Sequence, residues 1–459
     1  MQKFSGKIVW LAGWVILFGC TFTMALEPNP AATPEVPTST PTATITVTPT
    51  ASPTIPPATA IPTSWNFPVT PITLDPLSKP KGNIAFEKGT YNEEGIYKVA
   101  ANAQKRGALK YLYTTGSDPV WSADGKRIAI DAYRIAPITE YPGDVEQAKK
   151  VESDVFVDEI AVLNSDGTHF TRLTHMQAGD RLWEFVWSPD GRWIAVVLSF
   201  TEYAAGGLWH SNPTVYIIPT DGSGTVKKIG DTENIDSHIE WFPDSKHLAF
   251  LDPGGLLVIA SIDTGEQITM DLIDAPTDNY RIFDLSPDGK YIAYLEYSST
   301  DYSIKVADLE GGSEDGDIQE ILLFYDALED NGSYVPIVGD LSFSPDGARL
   351  LFVHSEKGIA TLRLFSSGAV SPIVLAQLTD CTKSEETTGP QTNVACWSPN
   401  WKPGWSSDGQ WIVYATAISG RGWENGDIYI LNVYQAVTGS IKPVLQAEHG
   451  RKPYWQPAG

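Results

Sequence analysis

The stretch FVWSPDGRWIAVV at residues 185–197 recurs almost letter for letter as LSFSPDGARLLFV at residues 341–353. Its central Ser-Pro-Asp-Gly has the composition of a tight turn, because proline fixes φ at the first central position and glycine accepts a positive φ. An apolar run ends at Trp187 before the turn, and a β-prone segment of strand length follows it at 192–197. The stretch therefore predicts a β-hairpin.

The same hairpin is repeated along the whole C-terminal part of the chain. The copies are VWSADGKRIAI (120–130), VWSPDGRWIAV (186–196), EWFPDSKHLAF (240–250), DLSPDGKYIAY (284–294), SFSPDGARLLF (342–352), GWSSDGQWIVY (404–414) and a truncated YWQPAG (454–459). Equivalent aromatic or apolar residues are 66, 54, 44, 58, 62 and 50 residues apart. Steps of this size fit four strands with their turns, which is one blade of a β-propeller.

The truncated last copy predicts how the ring closes. Its missing strands are present at the other end of the array, where GNIAF at 82–86 matches the strand after the turn and the segments 95–100 and 109–114 supply two more. We therefore predict an all-β fold of seven four-stranded blades, with the N- and C-terminal strands paired in one blade so that no sheet edge is left open at the seam. Six or eight blades remain alternatives at this stage.

The pattern x-P-x-W-S-P-D-G-x-x-I-A-F appears here as DPVWSADGKRIAI (118–130) and KPGWSSDGQWIVY (402–414). It resembles the propeller repeat of the TolB family and the related repeats of oligopeptidase propellers, over roughly residues 82–459. The WD-repeat signature fits less well, since its Gly-His and Trp-Asp dipeptides do not recur at the repeat spacing. The resemblance implies a TolB-like β-propeller.

The N-terminal residues 1–20 have the features of a signal peptide. A short apolar core, IVWLAGWVILFG at 8–19, follows two lysines and ends in Leu-Phe-Gly-Cys, which resembles a bacterial lipobox with Cys20 as the lipidated residue. Cleavage after Thr-Met-Ala at 23–25, giving a secreted protein, and an uncleaved anchor helix over 8–26 are the alternatives. Each of them predicts that the remainder of the chain lies outside the cytoplasm.

Residues 21–80 are rich in Pro, Thr, Ala and Ser, and no Lys or Arg occurs between positions 8 and 78. Such a segment cannot bury enough apolar surface to offset chain entropy, and its prolines favour an extended conformation. We expect a disordered linker there, able to span up to roughly 150 Å. The propeller domain is assigned to residues 81–459.

The chain has three cysteines. Lipidation of Cys20 would leave Cys381 and Cys396 as a pair, which predicts a disulfide in an exported protein. It would close a loop of about 15 residues and contribute about 3 kcal/mol of stability. Two unpaired thiols in a long loop are the alternative.

The formal net charge of -24 argues against nucleic acid as a partner and limits membrane contact to the lipid anchor. The chain lacks G-x-S-x-G, H-E-x-x-H and zinc-type cysteine clusters, and its seven histidines are scattered. We therefore expect no cofactor and consider an enzyme less favoured than a binding protein. We also expect a monomer.

One candidate site follows from the propeller geometry. The residue three positions before each repeat aromatic lies where the innermost strand reaches the channel mouth. Besides Ile282, these positions carry polar side chains that predict a binding site, namely Asp118, Glu184, His238, Asp340, Lys402 and Lys452.

A second candidate surface comes from loop length. The turns on one face are short, whereas the long insertions at 134–153, 201–212, 381–402 and 418–427 all fall on the other face. Long loops on one side of a rigid scaffold favour recognition. They contain large aromatic residues that would stack on sugar rings or anchor a protein partner, namely Tyr141, Tyr203, Trp209, Trp397, Trp401 and Trp423.

Two functions are therefore expected. The first is an exported, lipid-anchored module that binds a protein partner or a cell-wall glycan through the long-loop face. The alternative is a polysaccharide lyase or hydrolase at the channel mouth, which requires several histidines on one face. His210, His238 and His449 are the ones placed for that role.

Overall fold

A computed structural model of the chain describes residues 69–89, 95–105, 107–114, 116–136, 155–177, 179–204, 207–223, 225–232, 238–271, 283–297, 301–309, 318–325, 337–356, 359–367, 369, 371–380, 403–416 and 426–458. Strands dominate these residues. Cys20, Cys381, Cys396 and the signal peptide lie outside them, so the predicted lipidation and disulfide stay predictions.

Three strands begin the ordered array, namely β1 (Asn83–Lys88), β2 (Gly95–Ala100) and β3 (Leu109–Tyr113). Blade 1 contains β4 (Gly116–Trp121), β5 (Arg127–Ala132), β8 (Ile160–Asn164) and β9 (Thr171–Arg172), with a side hairpin of β6 (Arg134–Ala136) and β7 (Val155–Val157). Blade 2 contains β10 (Arg181–Trp187), β11 (Trp193–Ser199), β14 (Thr214–Pro219) and β15 (Lys227–Asp231), with a side hairpin of β12 (Thr201–Ala204) and β13 (Gly207–His210).

The next blades lack side hairpins among their described residues. Blade 3 contains β16 (Glu240–Trp241), β17 (His247–Leu251), β18 (Leu257–Ser261) and β19 (Gln267–Met270). Blade 4 contains β20 (Phe283–Leu285), β21 (Tyr291–Tyr297), β22 (Asp301–Asp308) and β23 (Gln319–Tyr325). Blade 5 contains β24 (Ile337–Phe343), β25 (Arg349–Glu356), β26 (Ile359–Ser366) and β27 (Ile373–Asp380). Blade 6 contains β28 (Gly404–Trp405), β29 (Trp411–Ala415), β30 (Ile428–Asn432) and β31 (Val444–Ala447).

The last strand, β32 (Gly450–Trp455), completes blade 7 as the innermost strand of the order β32-β1-β2-β3. It pairs antiparallel with β1, so that Ile84 lies opposite Trp455 and Lys88 lies opposite Gly450. The backbone amide of Gln456 also donates to the Asn83 carbonyl at 2.8 Å. Seven four-stranded blades and closure by the two chain ends are therefore both confirmed.

The Ser-Pro-Asp-Gly turns are built as their composition predicts. In blade 2, the Gly191 amide donates to the Ser188 carbonyl at 2.9 Å, which closes the turn. The Ser188 hydroxyl accepts the Trp193 amide at 3.0 Å and donates to Asp190 at 2.6 Å. The side chains of serine and aspartate thus bind the turn backbone, which explains why the two residue types recur together.

The turns also interlock around the ring. A Cβ atom placed on Gly289 of blade 4 would lie 2.9 Å from the Cδ of Pro243 in blade 3. The same relation joins Gly347 to Pro287 at 3.7 Å. The glycine of each of these turns therefore lies against the proline of the turn before it. At Gly289 the contact is too close for a Cβ atom, so this position needs glycine for space as well as for its positive φ.

The tryptophans of the innermost strands link neighbouring blades. The indole nitrogen of Trp187 donates to the Val120 carbonyl of the preceding blade at 3.0 Å, and that of Trp121 donates to the Tyr454 carbonyl at 3.1 Å. Trp241 and Trp405 make equivalent bonds. Buried indole N–H groups require such a partner, so each of these four tryptophans carries both apolar packing and an inter-blade hydrogen bond.

The apolar core lies between the blades, because each cluster of buried side chains takes members from neighbouring blades. The cluster that joins blades 3, 4 and 5 contains Phe283, Tyr294 and Phe352, each at most 1% exposed. Blade 6 also carries the helix α1 (Val433–Val437), whose first turn is capped by the Asn432 side chain. The described part of the chain contains no helix long and apolar enough to span a membrane.

Residues 72–78, which the sequence analysis assigned to the linker, lie against the turns of blades 5 and 6. The Ile72 amide donates to Asp346 at 2.6 Å. Gln410 accepts the Asp75 amide at 2.8 Å and donates to the Thr73 carbonyl at 3.0 Å. We call this segment the strap. It leads into β1 along the turn face, on the side opposite the channel mouth.

Candidate functional site

The central channel is lined by residues from all seven blades. Its cavity has a volume of about 320 Å³. Three carboxylates line it, namely Glu184 of β10, Glu240 of β16 and Asp284 of β20. They come from three consecutive blades, so one arc of the channel wall is acidic.

Each of these carboxylates also accepts a backbone amide of the following blade. Glu184 accepts the Ile239 amide at 3.1 Å, and Glu240 accepts the Leu285 amide at 2.9 Å. Asp284 accepts the Phe343 amide at 2.6 Å. The charges are therefore held in fixed positions around the channel, and they fasten adjacent blades to each other as well.

At the channel mouth, the side chains of blades 7 and 1 form an ion-pair network. Lys452 of β32 contacts Asp118 of β4 and lies 3.3 Å from Glu87 of β1. Arg451 donates to Glu87 at 2.6 Å, and Glu87 also accepts the Asp118 amide at 2.7 Å. Although burial opposes its charge, the carboxylates of Asp118 and Glu87 raise the pKa of Lys452, so the network contains a firmly protonated cation.

A second group at the mouth centres on His238, which is 6% exposed. Its Nδ1 lies 3.2 Å from Glu184 and its Nε2 lies 3.8 Å from Glu240. Its ring packs against Phe283 with a centroid distance of 5.0 Å. The imidazole of His238 therefore lies between two carboxylates of the acidic arc, within hydrogen-bonding distance of Glu184.

Three of the predicted channel-mouth residues have a left-handed backbone. Asp118, Asp340 and Lys452 have φ angles of 49°, 52° and 49°. Each lies at an irregularity in the pairing of the innermost strand with the next one. Such bulges redirect side chains, and non-glycine residues with positive φ cost roughly 1–3 kcal/mol each and cluster at functional sites.

Two more carboxyls lie close to this network. Asp131 of β5 accepts the Ser117 hydroxyl at 3.2 Å. Burial, together with the charges of Asp158 and Asp118, raises the pKa of Asp131 well above its usual value. Burial likewise raises the pKa of Asp158. Asp131 and Asp158 therefore hold protons more tightly than exposed carboxylates do.

The side hairpins of blades 1 and 2 add to the same face. Each connects the second and third strands of its blade, where the sequence predicts long loops at 134–153 and 201–212. In the second hairpin, Tyr203 lies opposite Leu208 and Trp209 lies opposite Glu202. Two neighbouring blades therefore extend beyond the ring beside the channel mouth.

The structure brings four of the predicted mouth residues together in two separate groups. Lys452 contacts Asp118, and His238 contacts Glu184. Asp340 is 4% exposed on blade 5. The predicted residues outside the described part of the chain are Lys402, Tyr141, Trp397, Trp401 and Trp423. Their part in binding stays a prediction.

Sequence reasoning missed three groups of the site. Glu240 and Asp284 come directly before the repeat residues Trp241 and Leu285. This position faces the channel, as does the position two residues earlier in the same strand. The alternation of side chains along a strand could have identified both. Glu87 carried no such signal, because it lies in the second strand of blade 7 and meets Lys452 only through ring closure.

Within the described residues, no three His, Cys, Asp or Glu side chains are grouped so that they could hold a metal ion. The carboxylates at the mouth instead face basic side chains and backbone amides. The arrangement can bind a partner through charge and hydrogen bonds.

No protein-family model and no curated protein sequence matches the chain. Solved structures with a similar chain path include TolB from Acinetobacter baumannii, at 16% identity over 82% of each chain with a TM-score of 0.44. A putative TolB from Agrobacterium tumefaciens is 17% identical over 66% of this chain and 90% of its own, with a TM-score of 0.37. A puromycin-hydrolyzing peptidase from Mycobacterium tuberculosis is 14% identical over 85% of this chain and 57% of its own, with a TM-score of 0.46.

Proposed function

We propose that this propeller is a binding module that receives a protein partner on its channel-mouth face. The observation that carries the proposal is the combination, on one face, of two side hairpins with a mouth of fixed charges. The hairpins of blades 1 and 2 stand next to the acidic arc of Glu184, Glu240 and Asp284. A rigid scaffold with extensions and charges on one side is suited to recognition.

The chemistry of the mouth favours binding over catalysis. The carboxylates of Glu184 and Glu87 each accept a backbone amide, and Lys452 is held by Asp118. Groups held in this way are positioned and charged before a partner arrives. Pre-organised charges add to specificity and to the rate of association.

Site-specific photo-crosslinking in the native host tests the binding face. A photoreactive residue at Tyr203 lies in the blade 2 hairpin, and one at Asp221 lies in a turn on the opposite face. We expect a discrete cross-linked polypeptide from position 203 and none from position 221. Equal products from both positions, or none from position 203, would contradict the proposal.

Two sets of variants then separate the mouth from the loops. Asp118→Asn, Glu184→Gln and His238→Asn together replace three polar side chains of the mouth. Trimming 201–212 and 418–427 removes the side hairpin of blade 2 and one further long insertion. Because trimming deletes position 203, the photoreactive residue is moved for this comparison to Ile135, in the side hairpin of blade 1. If the partner binds across the two hairpins, trimming strongly reduces the cross-link from position 135 and the triple substitution weakens it. A cross-link that survives trimming undiminished would assign recognition elsewhere.

We further propose that the module is exported and held at the membrane through a lipid on Cys20, with a cell-wall glycan as the alternative ligand of the same face. The lipobox-like end of the leader and the Pro/Thr-rich linker support this location. Mass spectrometry of the N-terminal peptide is expected to find a lipid on Cys20. In cell fractionation, the Cys20→Ser variant is expected in the soluble fraction. An unmodified Cys20 would point to ordinary cleavage or to an anchor helix.

The alternative function is a polysaccharide lyase or hydrolase at the channel mouth. One observation favours it, namely the position of His238 between Glu184 and Glu240. An imidazole with two carboxylates is a set suited to acid-base catalysis. Release of unsaturated or reducing sugars from wall polysaccharides, lost in His238→Asn, would support this function over the binding module.

A further inference from the structure

The outer part of blade 7 is basic in an otherwise acidic chain. Residues 95–117 contain Lys98, Lys105, Arg106 and Lys110 but no Asp or Glu, whereas the whole chain carries a formal net charge of -24. Lys98 lies on β2 and Lys110 lies on β3, the two outer strands of the blade, and Lys105 and Arg106 come between these strands in the sequence. The charge is therefore concentrated on one lateral edge of the propeller, away from the channel.

Two of these cations face each other across the sheet. Lys98 of β2 is the direct partner of Lys110 of β3 in the antiparallel register. Like charges in this position are unfavourable. Burial lowers the pKa of Lys98, and the charge of Lys110 lowers it further. Lys98 donates to the Ser165 carbonyl, and Asp166 is the acidic group that acts on the pair.

The strand that carries Lys110 also presents a sheet edge. Within the described residues, β3 pairs with β2 alone, so its outer backbone groups lie at the edge of the blade. Tyr111 is 45% exposed on this strand and packs edge-on against Tyr97 at 5.2 Å. An edge of this kind can accept a further strand through main-chain hydrogen bonds.

Lysines on edge strands often prevent aggregation, and β15 of blade 2 illustrates that use. It carries Lys227 and Lys228, and Lys228 is paired with Asp231 at 2.7 Å. On β3, the edge lysine faces another lysine, and the single carboxylate of Asp166 acts on both of them. A carboxylate of a bound segment would reduce the repulsion between Lys98 and Lys110. Protection against aggregation alone does not require two lysines to face each other.

We propose that the β2–β3 edge of blade 7 is a docking surface for an acidic, extended polypeptide segment of a partner protein. The backbone of that segment pairs with β3, and its carboxylates lie near Lys98, Lys105 and Lys110. The surface is separate from the channel-mouth face. A partner that has both an acidic tail and a globular part can occupy both.

Fluorescence anisotropy with a labelled octapeptide of alternating Glu and Val tests this surface on the full chain. We expect saturable binding at low salt that Lys98→Gln/Lys110→Gln weakens at least tenfold. The matched control, Lys227→Gln/Lys228→Gln on β15, removes two edge lysines elsewhere and is expected to leave the affinity unchanged. No saturable binding, or equal losses in both variants, would overturn the proposal.

A second comparison tests the kind of occupant. The same peptide with prolines in place of two valines keeps its charge but cannot pair as a strand, so we expect it to bind at least tenfold more weakly. Equal binding of the proline peptide or of inorganic polyphosphate would show a general anion site and contradict strand addition. Lys98→Gln/Lys110→Gln removes the repulsion but also the bond from Lys98 to the Ser165 carbonyl. Lys110→Gln alone keeps that bond, so we expect it to weaken binding with an unchanged Tm. Full affinity in Lys110→Gln would contradict the proposal.

Discussion

Substitution of Gly289 by alanine tests whether the interlocking of turns holds the blades together. The new Cβ would lie 2.9 Å from Pro243 of the neighbouring blade, and the residue has a φ of +72°. The left-handed backbone costs an alanine about 1 kcal/mol. Crowding against Pro243 adds about 1–3 kcal/mol, the usual cost of inserting a methyl group into a filled space.

The chain offers a matched control at Gly265. Its φ is +76°, and a Cβ there would meet nothing within 4 Å. Gly265→Ala therefore carries the backbone cost and the same effect on the unfolded chain without the contact. We expect urea unfolding to show Gly289→Ala less stable than Gly265→Ala by at least 1 kcal/mol. Equal losses of unfolding free energy in the two variants would refute the role of the turn contacts.

Three further outcomes are expected. Trp187→Phe removes the bond to the Val120 carbonyl and should cost about 2 kcal/mol of unfolding free energy, measured in urea; an unchanged midpoint would contradict the inter-blade role of the indole. Burial, and then the charge of Arg363, lowers the pKa of His354 to about 3. The folded state keeps this histidine neutral while the unfolded chain protonates it below about pH 6.5, so stability falls as pH drops and should be about 2 kcal/mol lower at pH 5 than at pH 7. His354→Gln should lack that part of the loss in parallel unfolding curves, and identical pH dependence in both proteins would disprove it. Gln410→Ala removes both strap bonds of this residue, so thermolysin should cut within 72–78 faster than in the natural chain, as followed by mass spectrometry; equal cleavage rates would mean that other contacts hold the strap.

The architecture could be predicted from sequence because the repeat unit is local. A turn of Ser, Pro, Asp and Gly between an aromatic residue and a β-prone run specifies a hairpin wherever it occurs, and its truncated last copy required strands from 82–86 to complete it. The pairing of Ile84 with Trp455 is the result. The repeat spacing also predicted that short turns and long insertions lie on opposite faces, as the side hairpins of blades 1 and 2 do relative to the turns.

Contacts that depend on the rotation between blades could not be predicted in the same way. The bond from the Asp75 amide to the Gln410 side chain joins residues 335 positions apart, and the composition of the strap indicated only a linker. The partner of Lys452 in β1, Glu87, likewise becomes a neighbour only after the ring closes. Periodicity identifies which residues point towards the channel but not which of them meet.

Pairing of the chain ends is the claim on which the propeller, its faces and its channel all depend. Asn83 and Gln456 lie opposite each other at the seam, with a side-chain hydrogen bond of 2.6 Å, and cross-strand neighbours have Cβ atoms about 5 Å apart. In a chain whose natural cysteines are replaced by serine, Asn83→Cys/Gln456→Cys should form a disulfide under mild oxidation, detected by linked tryptic peptides. A pair at the hairpin partners 98 and 110 serves as the reference. Ready oxidation of the reference with no cross-link between 83 and 456 would contradict the closed ring.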